Sequence, residues 1–328
     1  MTQTDTTALH AHLAERRDRL RLSIGEAQQP SRLVNLLMEV DAALERLEKG
    51  TYGICEVCHD DIEPNYLRMD PLVRVCLGHL PEDRQRALER DLELASTIQG
   101  QLLPPRRTSL AGWDIAFHYE PAGVVSGDYC DIVRNPQNAA SALFMVGDVS
   151  GKGVAASLMM MHLHGLFRSL ADADQPVARL MERVNRVFVE STMSLQFATV
   201  VCGRTFSDGN VELCVAGHCP PLLVHQHGVT PIEPTGLPVG VLGSTTYQQH
   251  IIRLSANDTL IVYTDGVTEA CNPSGEEYGE KRLRELLHRA RREPVDRLLD
   301  ACRDDHRAFR SADGAGDDIT LLALRKTT

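Results

Sequence analysis

Four residues suited to binding one metal ion stand close together in this chain. Cys55 and Cys58 form a C-x2-C step, and beyond 17 intervening residues Cys76 and His79 form a C-x2-H step. Each knuckle offers a pair of donors, and three thiolates with an imidazole select Zn²⁺ over Mg²⁺. A closed set of four leaves no position for water, so the expected ion is structural. His59 is an alternative fourth ligand. A second group is all oxygen. Aspartates recur in Ser126-Gly127-Asp128-Tyr129, Gly147-Asp148-Val149-Ser150-Gly151, Tyr263-Thr264-Asp265-Gly266 and Gly316-Asp317-Asp318-Ile319-Thr320, each beside an apolar strand. One Asp-Gly after a strand is an ordinary turn. Four such settings point to a shared cleft. Converging carboxylates repel one another unless cations lie between them, and hard oxygen donors select Mg²⁺ or Mn²⁺. Two such ions a few ångströms apart activate water and clamp a phosphoryl group.

Rival chemistries fail on spacing. The run Gly147 to Gly153 is one residue short of a P-loop and lacks Ser or Thr after Lys152. Ser150 lacks the G-x-S-x-G elbow. No cysteine is followed six positions later by arginine, so a cysteine-dependent phosphatase loop is missing. Cys130, Cys202, Cys214, Cys219, Cys271 and Cys302 read as small buried hydrophobes. His218, in Ala216-Gly217-His218-Cys219, reads as a turn histidine, with a substrate contact as the alternative.

The elements that must position these residues fall into two textures. Leu9, Leu13, Leu20 and Ile24, then Leu33, Leu36, Leu37, Val40, Leu44 and Leu47, recur at helical spacing, interrupted at Gln28-Gln29-Pro30. This predicts a helical hairpin over 1–50, followed by a metal-binding segment at 51–80 and a linker helix at 81–107. From 108 to 328 the chain is strand-rich, with expected strands at 113–120, 129–134, 142–147, 197–206, 210–216, 221–226, 249–254, 259–264 and 319–325. Helical stretches at 153–170, 176–191, 279–291 and 294–309 lie between them. Strands and helices in separate blocks predict an α+β domain with helices covering sheet faces.

Composition limits the partners. The 328 residues carry a net charge of −11, and the parts on either side of Arg107 are both acidic, which argues against a nucleic-acid coat. No run of 18 apolar residues offers a membrane span, and Met1 to Leu20 holds no apolar signal region. A cytoplasmic protein is expected, its nine cysteines free or metal-bound. In the helix at 82–103, Leu88, Leu92, Ala95 and Leu102, with Ile98 beside them, make a short heptad-like seam that suggests a homodimer.

Gly50-Thr51-Tyr52-Gly53-Ile54-Cys55-Glu56-Val57-Cys58, with Ile62, Leu67, Pro71 and Cys76, resembles the DksA/TraR-type zinc finger, with His79 where that family usually has a fourth cysteine. DksA carries an acidic pair on its coiled-coil tip that enters RNA polymerase; Gln28-Gln29-Pro30 has none. The finger's fold is therefore expected without the transcription role.

From Leu94 to Arg325 the ordered blocks resemble the SpoIIE/RsbU class of metal-dependent protein phosphatases, relatives of protein phosphatase 2C. They are Ile98-Gln99-x-x-Leu102-Leu103-Pro104, Gly127-Asp128-Tyr129, Asp148-Val149-Ser150-Gly151-Lys152-Gly153, Phe197-Ala198-Thr199, Ala216-Gly217-His218, Tyr263-Thr264-Asp265-Gly266 and Asp317-Asp318-x-Thr320. The resemblance implies an αββα sandwich and a phosphoserine or phosphothreonine protein substrate such as an anti-sigma-factor antagonist. It also implies two Mn²⁺ or Mg²⁺ ions, with Asp148 and Asp265 as central ligands, the Val149 carbonyl assisting, and Asp128, Asp317 and Asp318 completing the set. Ser126 and Cys130 depart from the usual glycine and aromatic residue. The other reading is a zinc-finger binding module for RNA polymerase or another protein, with the phosphatase fold as scaffold.

Overall fold

The leucine spacing near the N-terminus produces two helices, α1 (Gln3–Glu26) and α2 (Ser31–Glu48). The computed structural model describes residues 3–26, 31–110, 112–135, 141–172, 175–192, 196–310 and 316–327. The turn expected at Gln28-Gln29-Pro30 lies outside the described residues. The chain divides into two units, Met1–Arg90 and Asp91–Thr328.

In the first unit, α1 and α2 bury Leu13, Val40, Ala43 and Leu44, and Leu72 from the following segment joins that core. The segment folds around Cys55, Ile62 and Val73, with a short helix α3 (Pro64–Met69) and a 3-10 turn at Leu77–His79. Arg46 fastens it to α2, its guanidinium donating to the carbonyls of Val73 at 2.8 Å and Leu72 at 3.2 Å. The Tyr52 hydroxyl adds a bond to the Pro71 carbonyl at 3.0 Å. The division between the units falls within α4 (Glu82–Leu102).

Among the described residues the second unit holds eleven strands: β1 (Arg107–Leu110), β2 (Trp113–Glu120), β3 (Asp128–Arg134), β4 (Ala142–Val149), β5 (Ala198–Thr205), β6 (Asn210–Ala216), β7 (Leu222–His225), β8 (Gly228–Pro231), β9 (His250–Arg253), β10 (Thr259–Tyr263) and β11 (Ile319–Lys326). They form two sheets, ordered β1-β2-β11-β10-β7-β8 and β3-β4-β5-β6-β9. All strand pairs within them are antiparallel. Alternation along each strand sends neighbouring side chains to different cores. In β4 and β11, Phe144, Val146, Leu322 and Leu324 meet between the sheets. Leu143 and Met145 face α5 (Gly153–Leu170) and α6 (Val177–Ser191). Leu321 and Ala323 face α7 (Gly279–Ala290) and α8 (Val295–Phe309). The result is the expected αββα sandwich.

The differences from expectation are local. β1 and β8 were not expected; both are four-residue edge strands, one polar and one bounded by Gly228 and Pro231, so neither has a strand pattern. Cys130, Cys202, Cys214 and Cys302 are buried, but Cys271 is exposed in a loop and Cys219 is only partly covered. Cys271 is therefore not a core residue, while Cys219 packs against the edge of the core under α7 and α8.

Candidate functional site

Local turns build the first site. Cys55 N–H donates to Asp60 O at 2.8 Å and His59 N–H to Cys55 O at 3.0 Å, while His79 N–H closes the second knuckle onto Cys76 O at 2.9 Å. Ligand atoms of Cys55, Cys58, Cys76 and His79 all lie within 4.8 Å of one another, the one such group among the described residues. The Cys58 and Cys76 sulfurs are 3.8 Å apart and Cys55 Sγ is 3.9 Å from His79 Nδ1. Sulfurs about 2.3 Å from one tetrahedral ion would stand about 3.8 Å apart, so the donor set fits Zn²⁺. Burial opposes ionisation of Cys55, but backbone N–H groups of Cys58, Cys76 and Val57 outweigh it and bring its pKa to about 6. His59, exposed and in the left-handed region, lies outside the group.

The second site forms where strand ends of the two sheets meet. Asp128 and Asp148 are register partners on β3 and β4. Asp265 opens a 3-10 turn just after β10, and Asp317 and Asp318 precede β11. Gly266 lets these segments close: a Cβ there would lie 2.1 Å from the Asp318 carbonyl oxygen. Burial, then the charges of Asp265, Asp317 and Asp318, push Asp148 up to about 7, with Lys152 opposing. Burial and Asp317 raise Asp265, and burial and Asp265 raise Glu269. Carboxylates whose pKa values are raised by neighbouring carboxylates across a partly exposed site are an electrostatic invitation to cations. Oxygen donors are the type that Mg²⁺ or Mn²⁺ selects, although among the described residues no three of these carboxylates bring ligand atoms within 4.8 Å of one another.

The remaining sequence-picked residues have other immediate partners. Asp128 is fully buried, and burial followed by Asp148 raises its pKa well above the ordinary range. Its Oδ2 accepts hydrogen bonds from the hydroxyls of Thr264, at 2.9 Å, and Thr320, tying β3 to β10 and β11. Asp318 accepts from Ala122 N–H at 2.7 Å and Gly127 N–H at 3.0 Å, so both its oxygens hold the loop before β3. Val149 donates its N–H to Gly127 O at 3.3 Å. His218 is buried, its Nδ1 2.7 Å from Thr199 Oγ1, and burial lowers its pKa to about 4.

Several residues quoted only as motif members turn out to hold the site. The carboxamide of Gln99, on α4, is buried against Ser126: Nε2 donates to Ser126 O at 2.7 Å and Oε1 accepts from Ser126 N–H at 3.0 Å. Ser126 Oγ in turn accepts from Asp128 N–H at 3.0 Å. The signal was an amide within an otherwise apolar helix end, Ile98-Gln99 before Leu102-Leu103. Thr264 and Thr320, each next to an aspartate block, were legible only as motif members.

Residues 138–327 match the family profile of Stage II sporulation protein E (SpoIIE), and residues 50–78 that of the prokaryotic dksA/traR C4-type zinc finger. Protein IcfG of Synechocystis is 27% identical over 289 residues, covering 79% of this chain but 45% of IcfG. Phosphoserine phosphatase RsbU of Bacillus subtilis is 26% identical over 250 residues, covering 74% of this chain and 72% of RsbU. The solved SiaA-PP2C domain of Pseudomonas aeruginosa shares the fold with a TM-score of 0.66 at 20% identity, covering 75% of this chain and 99% of that domain. The chain thus spans less than half of IcfG. Since the SpoIIE match runs through the strands and helices that carry Asp148, Asp265 and Asp317 and takes in more than half of the chain, this protein belongs to the SpoIIE family.

Proposed function

We propose that the chain is a metal-dependent protein serine/threonine phosphatase acting on a phosphoserine or phosphothreonine protein, such as an anti-sigma-factor antagonist. The observation that carries this reading is the convergence of aspartates where the two sheets meet: Asp148 pairs with Asp128 across β3 and β4, the hydroxyls of Thr264 and Thr320, beside Asp265 and near Asp317, hold the Asp128 carboxylate, and the charges of Asp265 and Asp317 reach Asp148. The relative named phosphoserine phosphatase supports it. Asp148, Asp265 and Asp317 would hold two Mn²⁺ or Mg²⁺ ions, with the Val149 carbonyl, Asp128 and Asp318 alongside. When bound, the ions supply polarisation of phosphoryl oxygens and activation of water for in-line attack. Thr264 and Thr320 fix the Asp128 carboxylate, and Asp318 fixes the loop at 122–127. Domains at 1–50, 51–80, 81–107 and 108–328 would then be helical hairpin, zinc finger, linker and phosphatase, with the N-terminal module regulatory. Among the described residues no helix is long and apolar enough to cross a membrane, and a cytoplasmic setting is part of the proposal.

The direct test is hydrolysis of p-nitrophenyl phosphate and a phosphoserine peptide by the full chain. Turnover should require Mn²⁺ or Mg²⁺ and vanish with a chelator; no turnover with either ion would overturn the reading. A homodimer through α4 belongs to the same proposal. Leu88, Leu94 and Ile98 are exposed on that helix, and Leu92 and Ala95 are half-buried. Leu88→Glu with Leu92→Glu should convert the dimer to monomer by light scattering with zinc content unchanged. A double variant that stays dimeric, or a wild type that is monomeric at micromolar concentration, removes the seam.

A further inference from the structure

The segment that fails as a P-loop still presents a lysine to the carboxylate site. Lys152 lies between Gly151 and Gly153, whose φ values of +101° and +73° are the left-handed conformations that glycine holds without strain. A Cβ at either glycine would meet nothing within 4 Å, so backbone shape rather than crowding calls for glycine here. Lys152 itself is extended, with φ −134° and ψ 163°. The loop is fastened behind it: Ser150 N–H donates to Phe197 O at 2.9 Å, and Phe197 N–H to Ser150 Oγ at 3.1 Å. The ammonium reaches Asp317 Oδ2 at 2.9 Å, with 68% of the lysine side chain exposed. It also opposes the elevated pKa values of Asp148, Asp265 and Glu269.

We propose that Lys152 is the phosphate-recognition residue of this site, its ammonium contacting a non-bridging oxygen of a phosphomonoester dianion. The proposal rests on the phosphatase reading and goes beyond its metal set. Once the negative charge of Asp317 is shared with a divalent cation, the ammonium beside it faces like charge. A doubly negative phosphoryl group arriving at the ions restores its counter-charge. An exposed lysine on a flexible stem suits that exchange, because it acts as a point charge that can follow the phosphoryl group rather than as a fixed fork. The same logic sets selectivity: a phosphodiester, with one charge fewer, gains less from Lys152 than a monoester does.

Lys152→Met and Lys152→Arg in the full chain test this. The readouts are calorimetric binding of Mn²⁺, calorimetric binding of inorganic phosphate to the Mn²⁺-loaded protein, and kcat and KM for p-nitrophenyl phosphate against bis(p-nitrophenyl) phosphate. With Lys152→Met, phosphate should bind at least about tenfold more weakly and the monoester KM should rise similarly, with a smaller loss for the diester. Mn²⁺ should bind as well as in wild type or better, because a like charge is gone. Lys152→Arg should keep phosphate binding within a few-fold. Phosphate affinity unchanged in Lys152→Met overturns the proposal, and so does a parallel loss of Mn²⁺ affinity, which would make Lys152 a holder of Asp317. Should the wild type hydrolyse neither ester, the phosphatase reading fails while the phosphate-binding measurement still decides the role of Lys152.

Discussion

Asp148→Asn or Asp265→Asn should lower kcat at least about a hundredfold, roughly 3 kcal/mol of transition-state stabilisation. The fold should survive, because each change removes a carboxylate that its neighbours repel. The pH dependence of stability separates this from simple damage. In protein stripped of ions, Asp148 titrates at about 7 instead of 3.8. Between those values the native state holds a proton that the unfolded chain releases, so stability falls as pH rises. The contribution of Asp148 is fully present below 3.8 and gone once pH passes about 7. Calorimetry in chelator should therefore show Asp148→Asn melting above wild type at pH 8 but not at pH 4. Near-normal turnover of both variants with Mn²⁺ supplied would refute the two-ion assignment.

Cys55→Ser should abolish tight zinc binding, taking the protein from one zinc per chain to essentially none by elemental analysis. The consequence for folding is local and large. The finger's own core consists of buried Cys55, Ile62 and Val73 with a few partly covered neighbours, too little apolar surface to order some thirty residues unaided. Structural zinc in such fingers supplies about 10–16 kcal/mol of apparent binding free energy, which is also folding free energy. Residues 51–80 should lose amide-exchange protection on zinc removal, while the melting transition of the sandwich stays in place. Because thiolates are the ligands, zinc retention should weaken as pH falls. A Cys55→Ser protein with full zinc content would exclude the four-ligand site.

The sandwich was legible because its strands are buried on both faces or alternate cleanly: the Thr320-Leu321-Leu322-Ala323-Leu324 run and the Ala142–Val149 strand have no helical reading of adequate length. The zinc donors were legible because knuckle spacing is itself geometry. What stayed hidden depends on pairings distant in sequence. Nothing local says that Asp318 holds Ala122 and Gly127, 196 and 191 residues away, or that Thr264 and Thr320 share the Asp128 carboxylate. β1 escaped for the opposite reason: Arg107-Thr108-Ser109-Leu110 is an edge whose polar alternation looks like loop.

The two hydrogen bonds between Gln99 and Ser126 clip one register of α4 to the loop before β3. A helix advances by 1.5 Å and turns by 100° for each residue of register. A carboxamide that must meet one N–H and one C=O together has no partner at intermediate positions. If it leaves, the buried amide and carbonyl of Ser126 lose their partners, at about 1–3 kcal/mol. While both bonds hold, the C-terminal end of α4 and the start of β3 are joined, and unseating Gln99 uncouples them. The strand that carries Asp128 is thus attached to this helix through one buried clip, which is either seated or released.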